Sequence, residues 1–234
     1  MVEAIIEETY PIGADATVWV RNGDGRIYVY GSDANEIKVT ALKRAFTKER
    51  VDAIKVNVQV DGDSAAIDTI FPPLPQGSLL ADRSGTVDYT ILVPLSCTLS
   101  KIELSNGEIV IEGIRGPRIE ATLGKGRVLF SSCFSAARLS VGNGGIDISY
   151  PWWEELAFSL DAQTGDGDLR VALPATAALR LEAATATGHI RNRLAEKSKE
   201  SGDERRLITT IGGPSATEFK LRSTSGNIRI DKAY

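Results

Sequence analysis

A short glycine-centred phrase recurs along this chain and constrains it more than any other feature. It reads "GDGRIYV" at 23–29, "SNGEIVI" at 105–111, "GKGRVLF" at 124–130 and "GNGGIDI" at 142–148. Further on it reads "GDGDLRV" at 165–171, "ATGHIRN" at 186–192 and "STSGNIRI" at 223–230. Aligned on the apolar residue two places after the glycine, the anchors are Ile27, Ile109, Val128, Ile146, Leu169, Ile190 and Ile228. From Ile109 onward the steps are 19, 18, 23, 21 and 38. A period near 20 residues marks a repeat architecture. The last step is about two ordinary ones, which predicts a copy that lost its glycine or was replaced by an insertion.

Each copy has two arms of alternating residues. Ile102 and Leu104 precede one glycine, and Ile109 and Ile111 follow it. Period two means strands with one buried face. The Gly, Asn, Asp and Ser between the arms accept positive φ or bond their own backbone, as tight turns require. Two all-β folds fit: an antiparallel meander or sandwich of hairpins, or a β-solenoid in which each copy is one coil. The solenoid explains more. Equivalent positions of successive coils stack on one another, so like residues form ladders. Here the glycine, the apolar residue after it, and Thr164, Thr185 and Ser223 before it all recur.

The chain therefore reads as a single all-β domain over 1–234, with a longer-stranded part at 1–94 and glycine-repeat coils at 95–234. "TKERVD" at 47–52 predicts a short helical turn, and the proline-rich stretch 72–85 a loop. "AEKSKESGDERR" at 195–206 falls inside the double-length step and reads as a solvated insertion.

Composition narrows the chemistry. The net charge is -4, which argues against a dedicated nucleic-acid binder. No apolar run reaches the ~18 residues of a membrane helix, and "MVEAIIEETYPIG" is not a signal peptide; these readings alone point to the cytoplasm. One His and two Cys cannot supply the usual structural zinc sites, and no cofactor is expected.

The run "VRNGDGRIYVYGSDANEIKVTALKRA" at 20–45, then "VDYTILVP" at 87–94, then several copies of T-x-S-G-x-I-x-I, resembles a bacterial family of adhesin-like proteins of unknown function. The resemblance implies a β-solenoid-like domain, no catalytic residues to carry over, and association with the cell envelope.

Several residues still invite a functional reading. His189, the single histidine, follows a turn glycine, in a slot elsewhere filled by Arg26, Glu108, Arg127, Asp168 and Asn227. So mixed a slot points to solvent. Asp166 with Asp168, and Asp61 with Asp63, have the look of calcium-roll motifs, but consecutive coils lack the aspartates such a site needs; turn-forming is the simpler role. Trp152 and Trp153 are neighbours in sequence, so one should be buried and the other exposed as a candidate aromatic platform. The slot between the two buried residues after each glycine reads Tyr28, Val110, Leu129, Asp147, Arg170, Arg191 and Arg229. Its later members form an arginine stripe, a candidate anion site. Val110 and Leu129 predict cover by the N-terminal strands or by another subunit. Cys97 and Cys133 fall two coils apart, ~9.6 Å at the ~4.8 Å strand spacing, too far for a disulfide.

The sequence thus points to a non-enzymatic scaffold or binding module, adhesin-like. Its partner would be an envelope polysaccharide or protein, with a homo-oligomer as a further reading. A polysaccharide-acting enzyme on a β-helix is the alternative from another class. It would need carboxylates converging in a groove.

Overall fold

The computed structural model describes residues 1–73, 84–194 and 205–233. In chain order the elements are β1 (Val2–Pro11), β2 (Thr17–Ser32), β3 (Glu36–Ala45), α1 (Lys48–Ala53), β4 (Lys55–Asp61) and β5 (Ser64–Ile70). They continue with β6 (Thr86–Pro94), β7 (Thr98–Glu112), β8 (Arg118–Ser131), β9 (Ala136–Ser149), β10 (Ser159–Asp166) and β11 (Leu169–Leu173). The last are β12 (Leu179–Thr185), β13 (Ile190–Asn192), β14 (Arg206–Ile211), β15 (Glu218–Ser225) and β16 (Ile228–Lys232).

Each coil is a pair of arms bent at a glycine. The arms before the glycine pair in parallel to form a leading sheet, and those after it form a trailing sheet. This is a β-solenoid, as the repeat required. Between the sheets the anchor residues stack in an unbroken buried row: Ile27, Ile109, Val128, Ile146, Leu169, Ile228 and Ile190 are each at most 7% exposed. Burying such a side chain contributes about 1.5–3 kcal/mol, and one apolar cluster runs the length of the stack.

The glycines form a column of their own. Gly25, Gly107, Gly126, Gly144, Gly167 and Gly226 all have φ between 128° and 151°. A Cβ on Gly126 would lie 1.8 Å from the carbonyl oxygen of Gly107, one coil away, and a Cβ on Gly144 would lie 1.8 Å from that of Gly126. Only glycine satisfies both the torsion and the approach. Beside this column the recurring hydroxyls find their use. Thr164 Oγ1 donates to the Gly144 carbonyl at 2.8 Å, Ser223 Oγ to that of Gly167 at 3.0 Å, and Thr185 Oγ1 to that of Gly226 at 2.8 Å.

The order of the stack departs from the order of the chain at both ends. From one end to the other, the coils are β5 with β6, then β2, β7, β8, β9, β10 with β11, β15 with β16, and β12 with β13. Among the described residues the doubled last step holds no further glycine coil, while most of the expected insertion, 195–204, lies outside them. Ile228 pairs directly with both Leu169 and Ile190, so the final coil is inserted between two earlier ones. The intervening chain supplies β14, which pairs antiparallel with β12 and borders the leading sheet. At the opposite end β4 borders the leading sheet, while β3 and then β1 extend the trailing one, all antiparallel. The expected helical turn is α1. Thr47 caps it through Arg50, Val51 and Ile54 bury themselves at the end of the core, and Lys43 Nζ donates to the Ile54 carbonyl at 3.0 Å.

Most of the proline-rich loop and residues 195–204 of the charged insertion lie outside the described residues, and Arg206 already belongs to β14. Cys97 and Cys133 are free and buried, and desolvation pushes both thiols up to about 12.

Two predictions follow from this packing. Gly126→Ala should cost about 3 kcal/mol or more, because strain and a backbone collision coincide. Gly62, with φ 53° and nothing near its Cβ position, carries the strain alone, and Gly62→Ala should cost about 1 kcal/mol. Denaturant titration of both variants separates the two contributions. For the thiols, a folded-state pKa above the ordinary value of 9.0 contributes stability that is complete below pH ~9 and lost as pH climbs towards 12. The denaturation midpoint should hold from neutral pH to ~9 and fall above it. A thiol reagent should find two free groups only in denaturant, and a native disulfide would contradict the coil register.

Candidate functional site

Outward residues line up in rows because the coils are in register. Along the trailing sheet the middle row runs Glu7, Thr40, Thr90, Tyr28, Val110, Leu129, Asp147, Arg170, Arg229, Arg191. The three arginines share one row and one face, and all are exposed. Their order differs from the chain's, because the inserted coil puts Arg229 between Arg170 and Arg191. Arg170 reaches Asp147 at 3.9 Å, and that carboxylate is already held by Arg127. Arg229 has no hydrogen-bond or ion-pair partner among the described residues.

Elsewhere the rows alternate in sign. Asp88, Arg26, Glu108 and Arg127 follow one another on the trailing sheet. On the leading sheet the sequence is Glu120, Arg138, Asp161, Lys220, Glu182. Opposite charges one strand apart attract, and like charges repel by similar amounts. Among the described residues the arginine row is the one run of three like charges, and it stands out against that background.

Val110 and Leu129 are half-buried on the outer face, not covered by the N-terminal strands. The reason is topological. β1 and β3 add to the edge of the same sheet instead of folding over it.

The tryptophans divide. Trp153 packs inward against Tyr150, Phe158 and Phe219, with ring centroids 5.3–6.1 Å apart. It belongs to the core rather than to a platform. Trp152 is 47% exposed, lies 6.2 Å from Phe134, and donates through Nε1 to Glu154 at 3.3 Å. Arg115 completes this corner, paired with Glu154 at 2.6 Å and placed over the Phe134 ring.

Shallow hollows lie on the outer face of the leading sheet. One, of about 550 Å³, is bordered by Arg118, Arg138, Asp161, Glu218 and Lys220. Another, of about 640 Å³, lies by the glycine corner among Ser140, Gln163, Arg222 and Thr224. Asp161 is clamped by Arg222, with both carboxylate oxygens at 3.0 Å. Sequence reasoning missed these hollows, since Glu218, Lys220 and Arg222 come from β15, which lies beside β10 only in the rearranged stack.

The aspartates of the calcium-like motifs are engaged in local structure. Asp168 accepts from the Asn227 backbone N–H at 2.8 Å, Asp166 from Asn143 at 3.3 Å, and Asp63 from Gly13 N–H at 3.1 Å. His189 is exposed in its row, and its backbone N–H donates to Asn227 Oδ1. Among the described residues no group of three or more His, Cys, Asp or Glu is arranged to hold a metal, and no helix is long and apolar enough to cross a membrane.

A parallel two-sheet stack bordered by antiparallel strands defines a β-solenoid-like scaffold. The sequence matches the Toastrack DUF4097 family over residues 17–231, and the chain belongs to that family. No curated protein matches it. In fold it is similar to a candidate cell adhesion protein from Clostridium sporogenes ATCC 15579, at 16% identity and a TM-score of 0.56, over 98% of this chain and 100% of that one. A candidate adhesin from Bacteroides fragilis NCTC 9343 overlays at 10% identity and a TM-score of 0.36, over 97% of each chain.

The two tryptophans give a direct check on the corner. Trp153→Ala should cost roughly 3 kcal/mol through the cavity it leaves. Trp152→Ala should cost less than ~1 kcal/mol, as exposed substitutions do. Denaturation monitored by circular dichroism reads both.

Proposed function

We propose that this chain is a non-enzymatic binding scaffold, adhesin-like, whose trailing sheet offers the Arg170–Arg229–Arg191 row to an anionic component of the cell envelope. The observation that carries this reading is Arg229, a cation without a partner set between two further arginines in a molecule whose other charged rows alternate. A row of guanidinium groups ~4.8 Å apart stabilises a ligand with repeated carboxylate, sulfate or phosphate groups, each able to take paired N–H donors. Such a ligand offsets the repulsion the row carries when empty. The similarity in fold to a candidate cell adhesion protein supports a role in attachment, and an acidic polysaccharide is the envelope component that best matches a linear row.

An enzymatic reading would need a carboxylic acid held protonated by burial beside a second carboxylate. Asp161 and Glu218 share a hollow, but Glu218 is exposed and Asp161 is bound as an ion-pair partner of Arg222. This arrangement favours a charged surface over a reaction centre. Trp152 remains the aromatic side chain available for stacking on a sugar.

The test is binding of dextran sulfate against neutral dextran, each followed by size analysis of the polymer. Dextran sulfate should bind, weaken as salt is raised, and bind roughly tenfold more weakly to Arg229→Ala, the equivalent of ~1.4 kcal/mol. Equal binding of both polymers would sink the anion reading. Shortened polymer would replace the scaffold with an enzyme.

A further inference from the structure

The other half of the trailing sheet poses a separate problem. Tyr28, Tyr30, Leu92, Val110 and Leu129 form a contiguous group on its outer face. Leu92 is 36% exposed, and the other four are half-buried. Contiguous apolar surface of this kind on a folded domain marks an interaction site. What fits it can be read from the rows.

The middle row runs from Glu7 through the hydroxyls of Thr40, Thr90 and Tyr28 and the apolar Val110 and Leu129 to Asp147 and then three arginines. A row of that kind is complementary to its own reversal. Consider a second copy laid face to face, with the two-fold axis parallel to the strands and passing between β7 and β8. Position by position, Val110 meets Leu129 of the other copy and Tyr28 meets Asp147. In the row nearest the glycine corner, Glu108 meets Arg127. The symmetry makes each contact twice, as an isologous interface demands. The centre is apolar, a phenol faces a carboxylate, and opposite charges are juxtaposed beside it. The other face-to-face arrangement, with the axis along the stack, fails on charge. It would set each residue against its own copy, placing Arg170 on Arg170 and Asp147 on Asp147.

We propose that the trailing sheet is a homodimer interface, formed by two copies in antiparallel stack directions and centred on Val110 and Leu129. Ten rungs at ~4.8 Å give the face a full extent of about the ~800 Å² per partner of a standard interface, of which the central rungs make the closest contact. Sheet twist parts the two faces towards their ends. The arginine rungs therefore stand at the mouth of the contact, and the dimer does not depend on the anion-binding reading.

Sedimentation of the full chain at micromolar concentration tests the assembly, and engineered thiols test its geometry. The chain should sediment as a dimer. Leu129→Arg should raise the dissociation constant by about 30-fold or more while leaving the far-ultraviolet dichroism unchanged. The native cysteines are buried and do not interfere with surface thiols. Under oxidation, a mixture of Val110→Cys and Leu129→Cys chains should give the mixed cross-link, and neither variant alone should cross-link to itself. A chain that stays monomeric across this range overturns the proposal, including one that remains monomeric while binding dextran sulfate. That last result leaves the face to an anionic polymer. A Val110→Cys self-cross-link overturns the register.

Discussion

Everything outward on this molecule depends on a contact with no room in it. At the corner of each coil a glycine at positive φ lies against the carbonyl of the glycine in the adjacent coil, so close that a Cβ would sit 1.7–2.1 Å from that oxygen along the column from Gly107 to Gly226. The column leaves the coils no freedom to slip. A shift of one residue would turn every buried side chain outward and would put Lys125 or Arg127 where Gly126 must be. Register fixed at the corner propagates along both arms, and the rows on the faces follow from it. The hydroxyls of Thr164, Thr185 and Ser223 add a directional bond at the same corner.

Much of this was legible in the sequence. The glycine, the alternation on either side of it and the recurring Thr or Ser carry the coil, because each has a local physical cause: a torsion, a period, a hydroxyl with a carbonyl in reach. The order of the coils was not legible. Parallel ladders accept any copy beside any other when their residues match, and Ile228 fits between Leu169 and Ile190 as well as beyond them. Nothing local to Ile228 records which neighbour it takes. The same degeneracy explains the candidate site. The arginines could be read onto one face, but not with Arg229 in the middle, and the hollows on the leading sheet could not be assembled at all. The Trp152–Trp153 pair lies in the connection between β9 and β10, outside any strand, so its division follows from aromatic packing rather than from period two, whereas the fate of Val110 and Leu129 turned on whether β1 and β3 extend the sheet or fold over it. Alternation alone does not decide that.

Charge completes the division of labour between the two faces. On the leading sheet, the row Glu120, Arg138, Asp161, Lys220, Glu182 alternates in sign from coil to coil. On the trailing sheet the middle row gathers three arginines at one end, and the run survives only because each coil contributes one rung. A repeat scaffold can therefore change its binding properties by altering single rungs while its core is unaffected.

The inserted final coil has a consequence in time. A solenoid whose coils stack in chain order can be completed as it leaves the ribosome, each new turn settling on the last. Here the stretch that pairs with Leu169 on one side and Ile190 on the other is made after both of them. Until it arrives, β10 and β11 have no neighbour on that side, and β12 and β13 have nothing to lie against within the stack. The nascent protein must keep that berth open, or fill it provisionally and reopen it. β15 and β16 thus act as a keystone set in the interior of the stack rather than as a tip, and completion of that end of the stack is deferred until they are made.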